Sequence, residues 1–166
     1  MDARGEVWHA HHDAMRRFAR HLTGDASRAD DLVQEAFVRL WTTTAPIRTE
    51  TVRAYLFAIV RNLHRRGARR AGRDVEASDE LPASGVSPDE RAVQRDDAAR
   101  LRRALAALDD DDRAALLMRT DGELSYEDIA ISLDISPGAA RVRVHRARRR
   151  LLDLIRHEET RHERDT

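Results

Sequence analysis

Apolar residues recur at three- and four-residue spacing along most of the chain, the pattern of helices that each bury one face. Residues 5–22 place Trp8, His11 or His12, Met15, Phe18, Ala19 and Leu22 on such a face, and Gly24 ends the run. A second helix is predicted from Asp25 or Ser27 to Thr43, with Leu32, Val33, Ala36, Phe37, Leu40 and Trp41 inside. Its outer face holds Asp30, Asp31, Gln34, Glu35, Val38 and Arg39, a solvated surface whose early acids suit a helix N-terminus. Thr42 to Arg48 reads as a polar loop containing Pro46. A third helix from about Glu50 carries Val52, Tyr55, Leu56, Ile59, Val60 and Leu63. Its apolar stripe stops at Leu63, while arginines continue to Arg73 past Gly67 and Gly72.

Residues 74–87 have no periodicity and mix Pro82, Gly85, serines and acids, the composition of a linker. Fully extended, that segment reaches at most ~46 Å, somewhat more than one ~34–36 Å turn of DNA. Ser87-Pro88-Asp89-Glu90 restarts a helix, with a cap, a proline at the first position and an acid in the first turn. Val93, Leu101, Ala104, Leu105 and Leu108 form its stripe, and Asp109–Asp112 breaks it. Ala114, Leu116, Leu117 and Met118 fill the next helix before Asp121-Gly122 turns the chain. The stretch Leu124–Leu152 then reads as a short helix capped by Ser125, a tight connection at Leu133-Asp134-Ile135, and a longer helix opened by Ser136-Pro137. The longer helix turns Ala140, Val144, Ala147, Leu151 and Ile155 inward and carries Arg141, Arg143, His145, Arg146, Arg148, Arg149 and Arg150. These are the parts of a helix-turn-helix, whose second helix enters the DNA major groove. Residues after about Arg156 are highly charged and are expected to fray.

The fold class expected is therefore all-α: two small helical domains joined by a flexible linker, the C-terminal one containing the helix-turn-helix. The boundaries are 1–73, an acidic linker 74–87, 88–156 and a charged tail 157–166. Charged residues make up 36% of the chain and aromatics 4%, so one large core is not expected. All 30 basic residues are arginine, and 30 acids balance them to a formal net charge of zero. Distribution matters more than the sum. Arg61, Arg65, Arg66, Arg69, Arg70 and Arg73 form one basic block and Arg141–Arg150 another, with acids prevailing between. Two basic patches point to two places where an anion docks.

The absence of cysteine excludes disulfides and cysteine-based zinc sites. The first thirty residues carry charges throughout, which excludes a secretory signal, and no apolar run approaches the ~20 residues of a membrane span. A cytoplasmic protein without membrane insertion is expected. His9, His11 and His12 lack a matching metal-site motif and read as histidines on or beside a buried helix edge. No metal, cofactor or catalytic residue is expected, since no nucleophile motif, glycine-rich phosphate loop or HExxH pattern occurs.

Taken together, the segments resemble one family. Residues 24–41, GDASRADDLVQEAFVRLW, resemble the region 2 helix by which bacterial sigma factors bind core RNA polymerase. Residues 55–70, YLFAIVRNLHRRGARR, resemble the helix that melts and reads the −10 element, and Leu108 through Leu151 resemble region 4. A short acidic linker in place of region 3, and no region 1.1, point to the extracytoplasmic-function group. The resemblance covers roughly residues 5–155; its order and spacing are specific where single fragments are not.

The resemblance implies a sigma factor that binds core polymerase, directs it to promoters and helps melt the −10 region. Asp30, Asp31, Gln34, Glu35, Val38 and Arg39 would dock on the polymerase. Thr43, Thr44 and Arg48 in the loop would hold a flipped −10 base, and Arg61, Asn62, Arg65 and Arg66 would meet the −10 backbone and strand junction. Arg141, Val142, Arg143, His145, Arg146 and Arg149 would lie on the −35 element, with Arg141 and Arg146 reading guanine and Arg143 and Arg149 binding phosphate. An anti-sigma factor is the further partner implied. Two departures stand out. Aspartates occupy the place after Leu108 where the family commonly has proline, and Ala139-Ala140-Arg141-Val142 stands where many members have Thr-Val-Lys-Ser. The competing readings are a stand-alone helix-turn-helix regulator with an N-terminal interaction domain and, with least support, a metallohydrolase using the N-terminal histidines.

Overall fold

The computed structural model of the chain describes residues 3–46, 48–71 and 88–164. Among them lie seven helices: α1 (Ala3–Thr23), α2 (Ala26–Thr42), α3 (Val52–Ala71), α4 (Pro88–Ala106), α5 (Asp110–Thr120), α6 (Tyr126–Leu133) and α7 (Pro137–Arg164). A single 3-10 turn, Thr49–Thr51, leads into α3. The helices form two sets, α1–α3 and α4–α7, as expected of an all-α chain. The linker expected over 74–87 lies outside the described residues, as do Ile47 and Arg73.

Helix ends follow local chemistry. Gly24 closes α1 in the left-handed region at φ +69°, and the Asp25 side chain accepts the Arg28 backbone N–H to open α2. Ser125 accepts the Asp128 N–H at 3.1 Å and Ser136 the Ala139 N–H at 3.1 Å, which starts α6 and α7 where their caps predict. The turn between them has no glycine; Asp134 takes the left-handed conformation at φ 55°, which a short polar side chain tolerates better than most.

In the first set, Met15, Phe18, Ala19 and Leu22 of α1 face Val33, Ala36 and Phe37 of α2 and Leu56 and Val60 of α3. In the second, α5, α6 and the first half of α7 enclose Leu117, Met118, Ile129, Val144 and Ala147. The cores are continuous, contrary to the expectation that composition would not support one extended core. The join runs along α3, which buries a second stripe, Ala54, Phe57 and Arg61, at spacing i, i+3, i+7 beside the predicted one. Phe57 packs against Phe18 at a ring separation of 4.8 Å, and its far edge meets the Gly122–Leu124 turn. Ser132 of α6 donates a hydrogen bond to the Ala54 carbonyl at 2.9 Å.

Two expectations are corrected. Val93 is 63% exposed, as residues 89–97 in the first turns of α4 are all exposed among the described residues. Residues 157–164 do not fray but continue α7, held to α4 by Arg103–Glu158 at 3.3 Å and Arg100–Glu159 at 3.9 Å.

Candidate nucleic-acid interface

The N-terminal half of α7 is fixed from below by Ala140, Val144 and Ala147, so the residues between them point outward. Arg141, Val142, His145, Arg148 and Arg149 are exposed, Val142 at 60%, as a reading face requires. Arg141 lays its guanidinium over the Tyr126 ring at 5.0 Å, and Arg119 lies 4.7 Å from that ring's centroid. Arg119 also donates to the Leu124 carbonyl at 2.9 Å, which ties this stack to the turn before α6. Tyr126 was not among the residues predicted to matter; its place at the first position of α6 brings it under α7 only once the motif folds.

The aspartate run at the start of α5 organises the remaining arginines. Asp109 caps the helix by accepting the Asp111 N–H, and Asp110 pairs with Arg113. Asp112 is 7% exposed and takes Arg146 Nε and Nη2 at 2.8 and 2.6 Å, with Arg143 Nη1 at 3.3 Å. The hydrogen bond to Asp112, together with its charge, raises the Arg146 pKa. Asp111 faces the other way and accepts Arg61 Nη2 at 2.5 Å, with Arg65 at 4.0 Å and Arg143 at 3.9 Å. Burial alone would raise its carboxyl, but the Arg61 hydrogen bond and the charges of Arg61, Arg65 and Arg143 hold it below the usual value. Arg61 is itself only 9% exposed.

The predicted residues are thus divided. Arg66 and Asn62 are exposed on α3 and Arg141, Val142, His145 and Arg149 on α7, whereas Arg61, Arg143 and Arg146 are engaged by carboxylates. Thr44 and Arg48 are exposed in the loop after α2, and Thr43 is half-buried and accepts the Ala45 N–H at 3.3 Å. By sequence, Asp111 and Asp112 belong to a run that reads only as a break between two helices. The available signal was that four consecutive aspartates exceed what one helix N-terminus needs.

On the opposite side, the outer face of α2 borders an open cavity of about 590 Å³ shared with α1. Asp30, Gln34 and Val38 line it beside Trp8, His12 and Trp41. Trp8 stacks on His12 at 4.4 Å and packs against Phe37 and Trp41. Asp30 is held by Arg16 at 2.8 Å, and Arg39 bonds Glu35 one turn away at 2.8 Å. Asp31, Gln34, Glu35 and Val38 are exposed. His11 is half-buried and its pKa is lowered by burial and then by Arg53. Among the described residues, no three or more His, Asp or Glu side chains gather as a metal site.

Both halves match known proteins. The family model for sigma-70 region 2 matches residues 7–74, and that for sigma-70 region 4 matches 98–151. The ECF RNA polymerase sigma factor SigE of Mycolicibacterium smegmatis is 32% identical over 155 residues, which span 90% of this chain and 60% of that protein's length. EcfG of Rhodopseudomonas palustris, another such factor, is 35% identical over 86% of this chain and 79% of its own. ShbA of Streptomyces griseus is 37% identical over 80% and 75%. Among solved structures, the sigma factor RpoE of Bartonella quintana, in complex with the anti-sigma factor NepR, superposes with a TM-score of 0.66 at 28% identity, over 91% of this chain and 92% of that one. The chain belongs to the extracytoplasmic-function RNA polymerase sigma factors of the sigma-70 family.

Proposed function

We infer that this chain is a promoter-specificity subunit: it binds core RNA polymerase, brings it to promoters through −10 and −35 contacts, and catalyses no reaction of its own. The observation that carries this reading is the presence, in one chain, of a helix-turn-helix with an exposed arginine face and a separate helix whose polar, acid-rich face lies open. The α2 face of Asp30, Asp31, Gln34, Glu35, Val38 and Arg39 docks on the polymerase. Its acids favour a basic helical partner and fix orientation more than bulk affinity. Thr43, Thr44 and Arg48 receive an extruded −10 base, while Asn62, Arg65 and Arg66, with Arg61 when released, follow the adjoining backbone.

On α7, Arg141 is the leading base reader, being exposed and pre-aimed by Tyr126; one good guanine contact is worth ~1–3 kcal/mol of discrimination. Val142 and His145 flank it, Arg149 binds phosphate, and Arg143 and Arg146 join after leaving Asp112. The division at residues 74–87 separates the two reading units. By analogy with the RpoE relative, an anti-sigma factor is the regulatory partner. A cytoplasmic location follows from the polymerase partner, and no described helix is long and apolar enough to cross a membrane.

Reconstitution tests the reading. Purified core polymerase mixed with the chain should co-elute with it and start transcripts from promoters selected from random sequence. Core polymerase that neither co-elutes nor gains promoter-dependent initiation would refute it.

A further inference from the structure

The Asp111 carboxylate stands between the two basic patches and touches both. Arg61 and Arg65 reach it from α3, at 2.5 and 4.0 Å, and Arg143 from α7, at 3.9 Å. On the reading above, the first pair belongs to the −10 contact and the third to the −35 contact. Guanidinium groups this close to one carboxylate are no more than about 10 Å apart, whereas one turn of duplex already separates contacts by ~34–36 Å. With the two arginine groups held together at Asp111, the chain cannot hold both promoter elements at once.

The contact is not an isolated surface pair. It caps the stripe of α3 that faces the second helical set, where Ser132 bonds the Ala54 carbonyl and Phe57 is covered by the turn at Gly122. A second polar contact joins the sets on the α1 side, His21 to Asp121 at 2.7 Å. The anion that satisfies Arg61 here is a carboxylate of the chain itself; DNA offers phosphate to the same guanidinium groups, with comparable geometry.

We propose that Asp111 is an internal phosphate surrogate, which clasps the −10 and −35 arginines together and keeps the free protein closed until polymerase and promoter draw them apart. The proposal rests on the sigma-factor reading for its consequence, but the clasp itself is a property of the free chain. Closure lowers apparent DNA affinity by the fraction of molecules that are open. Because Asp111 is partly solvated, salt weakens the clasp as well as DNA binding, so the two effects must be read separately.

The chain has no cysteine, so cysteines introduced at exposed Ala68 of α3 and Asp153 of α7 give a unique pair of spin labels. Pulsed distance measurement on the full free chain should return one short, narrow distribution. Asp111→Asn should broaden and lengthen it, Asp111→Glu should retain most of the closed population, and Asp89→Asn, the same charge change on exposed α4, should leave it unchanged. In parallel, binding of the unlabelled variants to a random-sequence duplex should tighten about fivefold or more for Asp111→Asn, the low end of ordinary coupling between sites, and not for Asp89→Asn. An unchanged distribution for Asp111→Asn, or equal tightening by both asparagine variants, overturns the proposal. Should Asp111→Asn open the chain while neither duplex nor core polymerase binds any variant, the sigma-factor reading fails and the clasp stands.

Discussion

Arg146 closes a two-pronged fork on Asp112, its Nε 2.8 Å and Nη2 2.6 Å from the two carboxylate oxygens. The pair joins α7 to α5 through an acid with almost no access to water. Removing the arginine strands a buried carboxylate, although Arg143 remains at 3.3 Å and the Arg146 guanidinium is itself open to solvent. Arg146→Ala is therefore expected to cost about 1–2 kcal/mol of stability, less than the loss of a fully buried pair. Urea unfolding measures it. An arginine whose only task was to read DNA would leave the midpoint where it was.

Gly122 is required by space rather than by backbone angle. A Cβ there would stand 2.6 Å from the Met118 carbonyl oxygen, 2.6 Å from Leu124 Cδ1 and 2.7 Å from Phe57 Cε1. The carbonyl belongs to α5 and cannot step aside cheaply. Gly122→Ala should destabilise the chain by about 2–3 kcal/mol through overpacking, read as a lower denaturant midpoint. Phe57→Leu in the same background should recover part of the loss if the ring is one of the clashing groups.

His64 is held neutral. Burial first, then the nearby Arg113 and Arg28 charges, push its pKa down from 6.5 to about 4, against a smaller opposing effect of Asp110. Well above pH 6.5 the imidazole is neutral whether the chain is folded or not, and it contributes no pH dependence. As pH falls from 6.5 toward 4, the unfolded chain takes up a proton that the folded chain resists, so stability declines across that window. At pH 5 the loss is on the order of 1 kcal/mol after allowance for partial exposure. Thermal melts at pH 7.5 and pH 5 should show a smaller drop for His64→Leu than for the unchanged chain. An identical drop would mean that the folded state protonates His64 readily.

Tyr126 should matter to −35 binding without touching DNA. Its ring supports Arg141, and an exposed cation–π contact is worth about 0.5–1 kcal/mol. Tyr126→Leu should weaken binding of holoenzyme-selected −35 duplex by about threefold to fivefold, while Tyr126→Phe keeps the wild-type value. Fluorescence anisotropy with both variants decides it; equal loss in the two would implicate the hydroxyl instead.

The starts of α2, α6 and α7 were legible from Asp25, Ser125 and Ser136-Pro137, because a cap acts within three residues of itself. The inner stripes of α1 and α2 and of the first half of α7 were legible for a similar reason: spacing along the sequence determines which residues share a helix face. The exposed reading face of α7 follows directly from that stripe. Val93 failed the same test, since periodicity names a face but not what covers it.

Sequence alone therefore determined seven helical stretches close to those found, the caps of α2, α6 and α7, the helix-turn-helix and the two arginine blocks, all of them products of local chemistry and period. It also carried enough order and spacing to indicate the family. Tertiary structure decided what the blocks meet. The second stripe of α3 became a core face because α6 lies on it, and Arg61 turned from a free cation into the partner of Asp111, fifty residues away in the chain. Within the aspartate run whose sequence reads as a break between two helices, Asp112 fastens α5 to α7 and Asp111 fastens it to α3. Such pairings depend on which surfaces come within a few ångströms of each other, a distance that no local rule contains.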